Sequence, residues 1–296
     1  MKKIFIAALA LAAVAACNKA EVIETAPGEA IAFGDAFVDN ATKADYSSTD
    51  IKEFKVYGEV NGVNIFDGDN VTKGDAAYGA AWTCDGGTQY WIDGAAYNFA
   101  AVVDADAVTV NEATGMPVSL TYAAAGQKDM LYNKVAVTGK KTGNAVVAFT
   151  FSHLLAKAYF TVTNNVPDTK YTYTVSDVKV TNAYQNGVYT TADGDWAGSN
   201  AAATSFATIT DVANGTPKTN AEMLFIPEAS VGVSFKVTLS IDGKVVTSYD
   251  FSKEAVVTLA ANNVYNFDIT LSLGEKIEFT VKEQPKWTTP TTDVEL

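Results

Sequence analysis

Apolar and polar residues alternate along most of the chain, and the alternation is clearest in its last quarter. In SVGVSFKVTLSI (residues 230–241) every second position is apolar, and YNFDITLSL (265–273) and KIEFTV (276–281) repeat the pattern. A period of two over this many residues indicates antiparallel β-strands with one buried face. Shorter stretches of the same kind occur upstream: EFKVYGEV, YNFAAVV, VVAFTFS, AKAYFTVTN and VSDVKVTNAY.

Turn-forming residues separate these stretches, as in VNGV, FDGDN, CDGG, IDGA, KTGN and SIDGK. Short strands divided by such turns are typical of β-sandwiches. No stretch predicts a long amphipathic helix. We therefore predict an all-β chain with two tandem antiparallel β-sandwich domains, residues 44–143 and 144–296. The boundary is expected at KKTGN, Lys140 to Asn144.

The N-terminus has a different pattern. Lys2 and Lys3 precede the apolar run IFIAALALAAVAA, which is too short to span a bilayer and ends in VAAC at Cys17. The last four residues resemble a bacterial lipobox. The resemblance implies a signal peptide over residues 1–16 and lipid attachment at Cys17, which anchors the chain to a membrane outside the cytoplasm.

Composition excludes some functions. The net charge is −13 and all 21 basic residues are lysine. A chain this acidic and without arginine is poorly suited to nucleic acid, so we expect no nucleic-acid partner. Apolar residues make up 48% and charged residues 19% of the chain, as in globular proteins. With Cys17 lipidated, Cys84 has no cysteine left for an intramolecular disulfide.

Residue patterns that carry catalysis or bind metals are scarce. The single histidine, His153, lies in a strand-like stretch without a local cysteine or carboxylate constellation, so we expect it and Cys84 to be structural. Asp67 to Asn70 resembles the start of a calcium loop. Tyr78 stands where such a loop needs its bidentate glutamate, so a solvated turn is expected there. We predict no metal, no cofactor and no enzymatic activity.

Two tryptophans have different expected roles. Trp91 precedes a strand and is expected in the core, where aromatic residues contribute large packing energies. Trp196 lies in DGDWAGS, which predicts a loop where the ring could contact a ligand such as a sugar. This leaves open an alternative function, a lipid-anchored surface glycan-binding protein that keeps its N-terminus.

The order and spacing of these stretches resemble the fimbrillin-like family, the subunits of type V pili of Gram-negative anaerobes. The resemblance covers nearly the whole chain. It rests on the lipobox, AIAFGDAF, ATKAD, IKEFKVYGEV, YWIDGAAYNFAAV, QKDMLYNKV, FSHLLAK, MLFIP, AANNVYNFDITL and IEFTVKEQPKW. It implies two transthyretin-like β-sandwiches, a location at the outer membrane and cell surface, and a role as a fimbrium subunit that serves adhesion.

The resemblance also implies a removable first strand. In the family, a trypsin-like or arginine-specific protease removes an N-terminal segment with that strand, and a terminal strand of the next subunit fills the vacated groove. Carried over, Ala30 to Val38 is the removable strand, with Ile31, Phe33 and Phe37 at the same parity.

The implied cleavage lies between Lys43 and Ala44, so residues 17–43 form a lipidated prosegment. Because the chain has no arginine, the processing protease must accept lysine. The expected partners are therefore this protease, outer-membrane lipid through Cys17 before cleavage, and other pilus subunits in a head-to-tail polymer. The donor strand is left open between Ile277 to Val281 and Val294 to Leu296.

Overall fold

The computed structural model describes residues 28–38, 51–73, 82–140, 142–272 and 277–285. Over these residues the chain forms 21 β-strands and one 3₁₀ turn at Ala124–Gly126, and it contains no α-helix. The predicted all-β class is confirmed. Among the same residues, no helix has the length and apolar character needed to cross a bilayer.

Nine strands precede the second sandwich, and seven of them build the N-terminal sandwich. The nine are β1 (Phe33–Val38), β2 (Glu53–Val60), β3 (Val63–Lys73), β4 (Trp82–Cys84), β5 (Ala96–Val103), β6 (Ala107–Val110), β7 (Pro117–Ala123), β8 (Leu131–Thr138) and β9 (Val147–His153). The seven follow the order β1-β9-β8-β5-β2-β3-β4, and β1 and β9 are parallel.

The seven-stranded sheet folds over itself. β8 and β9 pair only at one end, through Leu131↔His153 and Tyr132↔Ser152. The ring of Phe149 on β9 then lies 5.5 Å from that of Phe54 on β2, two strands that are far apart in the sheet order. β1 and β9 therefore form one layer and the other five strands the second, with an aromatic core between them.

Twelve further strands follow. They are β10 (Ala156–Asn164), β11 (Tyr171–Ala183), β12 (Asn186–Thr190), β13 (Asp195–Ser199), β14 (Ala202–Ser205), β15 (Ile209–Val212), β16 (Lys218–Thr219), β17 (Met223–Phe225), β18 (Ser230–Ile241), β19 (Lys244–Thr258), β20 (Asn263–Leu271) and β21 (Ile277–Pro285). One sheet has the order β16-β10-β20-β21, with β17 also on β10. The other has the order β14-β11-β18-β19, with β15 also on β11. The two sheets enclose the C-terminal core, and β10 and β20 are parallel.

The boundary between the sandwiches lies later in the chain than predicted. β9 follows Asn144 but pairs with β1 and β8 of the N-terminal sandwich. The chain passes to the second sandwich at Leu154 and Leu155, between β9 and β10. The predicted division at residues 143 and 144 was wrong, because KKTGN belongs to the connection between two strands of the same sandwich.

A hairpin from the C-terminal half crosses this junction. β12 pairs with β7, which gives a four-stranded sheet in the order β13-β12-β7-β6. A third core cluster lies beneath it, with residues of both sandwiches such as Tyr57, Tyr122, Trp196, Ile226 and Val264. The shared sheet and core join the two sandwiches into one body.

Candidate functional site: the first-strand groove

β1 has a single neighbouring strand within the described part of the chain. Four residues pair with β9, from Phe33↔Val147 to Val38↔Phe151, and an irregularity interrupts the ladder between Phe33 and Ala36. An edge strand leaves the hydrogen-bonding groups of its other side without a ladder. β1 is therefore held by a short and interrupted set of backbone contacts.

Just before β1, Glu29 and Ile31 form backbone hydrogen bonds on the side of the segment that faces away from β9. Ile31 donates its N–H to the carbonyl oxygen of Gln89 at 2.8 Å, and Trp91 donates to the carbonyl oxygen of Glu29 at 2.9 Å. These bonds join the start of the segment to the chain that follows β4. We call the surface that residues 29–38 cover the first-strand groove.

Phe33 fills an aromatic pocket in this groove. Its side chain is 6% exposed, and its ring centroid lies 6.5, 5.4, 6.1 and 6.3 Å from those of Phe54, Phe66, Phe99 and Phe149. Aromatic pairs of this kind contribute about 0.5–1.5 kcal/mol each beyond their buried area. Loss of β1 would expose four phenylalanine rings at once.

The rest of β1 differs in part from the expected parity. Ile31 and Phe33 both pack on the core. The irregularity after Phe33 changes the parity, so that Ala36 and Val38 are also buried, which the single-parity prediction missed. The side chain of Phe37 lies outside the described residues. For the side chains of β1 that the structure describes, the groove therefore has one large pocket at Phe33 and shallow ones at Ala36 and Val38.

Glu29 fastens the start of the segment to the connection between β8 and β9. Its Oε2 accepts hydrogen bonds from the backbone N–H of Asn144 at 2.9 Å and from Asn144 Nδ2 at 3.2 Å. The backbone donor, then the side-chain donor, lower the pKa of the Glu29 carboxyl. Because this carboxylate is exposed, we expect the contact to be weak.

An apolar rim surrounds the Glu29 end of the groove. Tyr90, Ile92 and Val146 are 47%, 53% and 55% exposed. Tyr90 forms a bridge with Ala30, and Val146 packs so closely on Gly34 that a Cβ there would lie 2.5 Å from Val146 Cγ2. Neighbouring exposed apolar side chains of this size are typical of contact surfaces.

The predicted anchor and cleavage positions, Cys17, Lys43 and Ala44, lie outside the described residues. On either side of the cleavage segment the chain is anchored by packing, since Val38 and Ile51 both belong to the N-terminal core. A cut between these two residues would leave β1 held only by non-covalent contacts.

His153 and Cys84, the two side chains considered for catalysis, lie in surroundings typical of structural residues. His153 is buried, and its Nδ1 lies 2.8 Å from Asp129 Oδ2, a partner that the sequence reasoning missed because 24 residues separate them. Cys84 lies on β4, where burial raises the pKa of its thiol. Among the described residues, no group of three or more His, Cys, Asp or Glu side chains could hold a metal ion.

Asp67 to Asn70 does not form the expected turn. These residues lie within β3, where the ladder with β2 is irregular and Gly68 has a φ of 77°. Asn70 donates its N–H to Asp85 Oδ1 at 2.7 Å. A strand irregularity, and not a loop, therefore explains the glycine in this stretch.

The two tryptophans have different outcomes. Trp91 is buried, as predicted. Trp196 lies on β13 and not in a loop; it is 8% exposed, and its Nε1 donates to the carbonyl oxygen of Leu154 at 2.9 Å. Its ring also lies over Gly187 on β12, where a Cβ would come within 2.9 Å. A ring buried in this way offers no open face to a sugar, so nothing at Trp196 favours the glycan-binding alternative.

Comparison with known protein families gives two matches. The model of a family described as fimbrillin-like matches residues 30–284, which include both β1 and β21. The model of the prokaryotic membrane lipoprotein lipid attachment site matches residues 1–18. No curated protein is significantly similar to the chain.

Several solved structures have the same fold. A fimbrial protein from Bacteroides vulgatus is 13% identical with a TM-score of 0.63, over 88% of this chain and 99% of that one. A candidate cell adhesion protein from Bacteroides ovatus is 13% identical with a TM-score of 0.55, over 88% and 98% of the two chains. A candidate cell adhesion protein from Bacteroides uniformis is 20% identical with a TM-score of 0.50, again over 88% and 98%. Similarity at these identities establishes the shared fold.

Proposed function

The chain belongs to the fimbrillin-like family, and from this premise we propose that it is a structural subunit of a cell-surface fimbrium that serves adhesion. It is a lipoprotein of the outer membrane and cell surface, and its family indicates a structural protein and not an enzyme. In the proposed pathway the chain is exported, lipidated at Cys17, cut between Lys43 and Ala44, and polymerised by donor-strand exchange.

The first-strand groove is the observation that carries this proposal. Removal of residues 29–38 would leave the backbone of β9 and of the segment around Trp91 without partners, and would open the pocket of Phe33. A β-strand from another subunit can satisfy both: its backbone supplies the hydrogen bonds and its alternate side chains fill the pockets. A groove with both features is suited to strand exchange.

One cut would have two effects. Cys17 and β1 both precede Lys43 in the chain, so cleavage there separates the body of the subunit from its lipid anchor and frees the first strand. Release from the membrane and opening of the groove are then a single event. A subunit that is not cut stays anchored and keeps its groove filled.

The structure favours the extreme C-terminus as the donor. β21 pairs with β20 at nine positions, and Ile277, Phe279 and Val281 pack on the C-terminal core. Donation of β21 would expose that core, whereas donation of residues 286–296 leaves it intact. Pro290 restricts how long a regular ladder this segment can form.

Donor-strand exchange is a head-to-tail contact, because one subunit supplies the groove and the next supplies its C-terminal segment. Such contacts repeat into an open filament when the rotation between copies does not close a ring. The partners are therefore further pilus subunits, together with a surface protease that cuts after lysine.

Replacement of Lys43 tests the proposal. Lys43→Ala should remain uncut on cells and should give no SDS-resistant ladder, whereas the wild-type chain gives both the shortened subunit and the ladder. Lys52→Ala is the matched control, since Lys52 is an exposed lysine near β2, downstream of the proposed cut. Ladders formed by an uncut Lys43→Ala protein would disprove the proposed trigger.

A further inference from the structure

We infer that the pocket vacated by Phe33 determines which strand the first-strand groove accepts, and that Trp287 of a second copy of this chain fills it. The inference rests on the proposed function, because the pocket opens only when β1 leaves. It adds the residue that the groove selects and the copy that supplies it.

The pocket is lined by the four phenylalanine rings, and two tryptophans lie behind them. Beyond the four phenylalanines, Trp82 lies 5.3 Å from Phe54 and Trp91 lies 6.0 Å from Phe99, measured between ring centroids. Among the described residues of β1 after Phe33, the buried ones are Gly34, Ala36 and Val38. An incoming strand therefore needs one aromatic ring, followed by two smaller side chains.

The C-terminal segment from residue 277 onward offers two rings, Phe279 and Trp287. Phe279 is already engaged, because its ring lies 6.4, 5.5 and 6.2 Å from those of Phe235, Phe251 and Phe267. Trp287 is the second residue after the end of β21. It is the ring that can be donated without loss of the C-terminal core.

The residues after Trp287 fit the shallow pockets. With Trp287 in the place of Phe33, Thr288 takes the place of Gly34, Pro290 that of Ala36 and Thr292 that of Val38. A Cβ at the position of Gly34 would lie 2.5 Å from Val146 Cγ2, so the side chain of Val146, which is 55% exposed, must turn away to admit Thr288. Threonine has nearly the shape of valine. Proline cannot donate to a ladder and is tolerated at irregular positions, and the β1 ladder is irregular immediately before Ala36.

The direction of the strand requires a second copy. Pro285 pairs with Asn263, and the neighbouring Asn262 donates its N–H to the carbonyl oxygen of Leu155, so β21 ends at the junction between the sandwiches. The Val38 end of the groove faces the same junction. The Phe33 pocket lies at the opposite end, about 20 Å away along β9 at the usual rise per residue.

Two residues after Pro285 span only about 7 Å. The tail of the same chain therefore cannot carry Trp287 to the Phe33 pocket and then continue in the direction of β1. When the tail comes from a second copy, the short distance between Pro285 and Trp287 places the sandwich junction of that copy next to the Glu29 end of the groove. The exposed rim of Tyr90, Ile92 and Val146 lies there and would be covered by that contact.

Peptide binding tests this inference. The protein is the full chain with a specific protease site between Val38 and Ile51 and with Trp287→Ala, so that its own tail does not compete. After cleavage, a dye-labelled peptide of residues 286–296 should bind, as measured by fluorescence anisotropy. Trp287→Ala in the peptide should weaken binding at least tenfold, Trp287→Phe by less than threefold, and the control Leu296→Ala by less than twofold.

A labelled peptide of residues 28–38 separates the two possible failures. If this peptide does not bind the cleaved chain, the groove does not open, and the proposed function fails together with the inference. If it binds and its Phe33→Ala variant does not, the groove is open. Equal binding of the tail peptide and its Trp287→Ala variant, or no binding of either, would then overturn the inference alone.

Discussion

The first strands of the two sandwiches occupy similar places but are held very differently. β1 and β10 both run parallel to another strand of their own sandwich, β9 and β20. β1 pairs at four positions with an interruption, and its other side has no strand beside it within the described residues. β10 pairs with β20 at eight consecutive positions, and β16 and β17 cover its other side.

This difference shows what makes a strand removable. Both strands contribute a deeply packed ring, Phe33 in β1 and Phe160 in β10. Side-chain packing alone would hold both strands in their sandwiches. The backbone decides, because β10 is bonded on two sides and joined to the chain at both ends, whereas a single cut leaves β1 bonded mainly to β9.

Phe160→Ala should have the largest effect on stability. Phe160 is fully buried, with its ring centroid 4.9 Å from Phe267 and 5.0 Å from Phe206. Its truncation should lower the free energy of unfolding by about 3–5 kcal/mol, in the uncut chain and in the cut, strand-free chain alike. Chemical denaturation of both forms measures this, with Phe160→Leu as the milder control. A loss below about 1 kcal/mol would contradict the packing of β10.

Phe33→Ala should destabilise the uncut chain but not the cut, strand-free chain. In the uncut chain we expect a loss of about 2–4 kcal/mol, because an aromatic pocket is left empty. In the cut, strand-free chain the variant and the wild type should unfold identically, since Phe33 has left. The same denaturation experiment measures both forms. A loss that persists after removal of the strand would show that β1 is not a separable element.

Gln127→Ala should have a smaller effect on the protected edge of β10. Gln127 Nε2 donates to the carbonyl oxygen of Leu224 at 3.0 Å, and its Oε1 accepts from Leu224 N–H at 2.8 Å. Leu224 belongs to β17 and pairs with Lys157 of β10. Loss of these bonds should cost about 1–2 kcal/mol and increase hydrogen exchange at β17. The control Lys128→Ala, at the exposed neighbouring residue, should change neither stability nor hydrogen exchange. Unchanged exchange at β17 in Gln127→Ala would count against a stabilising role of the Gln127–Leu224 bonds.

Loss of the Glu29 contact should have the smallest effect, an increase in the rate at which the first strand dissociates, and this effect should depend on pH. The pKa of Glu29 is lowered while residues 29–38 are bound, so its contact adds stability above the ordinary carboxyl pKa and loses it as pH falls through the lowered value. After the loop is cut, a labelled first strand should therefore leave about twofold faster at roughly pH 3.5 than at about pH 6. Glu29→Gln should remove most of this difference. An unchanged pH dependence in that variant would assign it to other groups.

Local pattern predicted the strands better than their partners. The period of two located β18, β20 and β21, and the Asn61-Gly62 and Asp242-Gly243 pairs form turns with positive φ at each residue, as expected. The crossing hairpin β12–β13 was missed and its tryptophan was assigned to a loop. Alternation tells which face of a strand is buried, but it does not tell which strand lies beside it.

The candidate site was predictable to a similar extent. The family resemblance implied a first strand over Ala30 to Val38, with Ile31, Phe33 and Phe37 at the same parity. The parity change before Ala36 and the four rings around Phe33 depend on strands distant in the chain, so only the folded structure shows them. The same holds for Asp129, which contacts His153.

Mass spectrometry of the subunit in SDS-resistant polymer recovered from cells tests the central claim most directly. The account predicts an N-terminus at Ala44, without Cys17, its lipid or residues 29–38. Polymer built from subunits that still begin at an acylated Cys17 and retain β1 would contradict it.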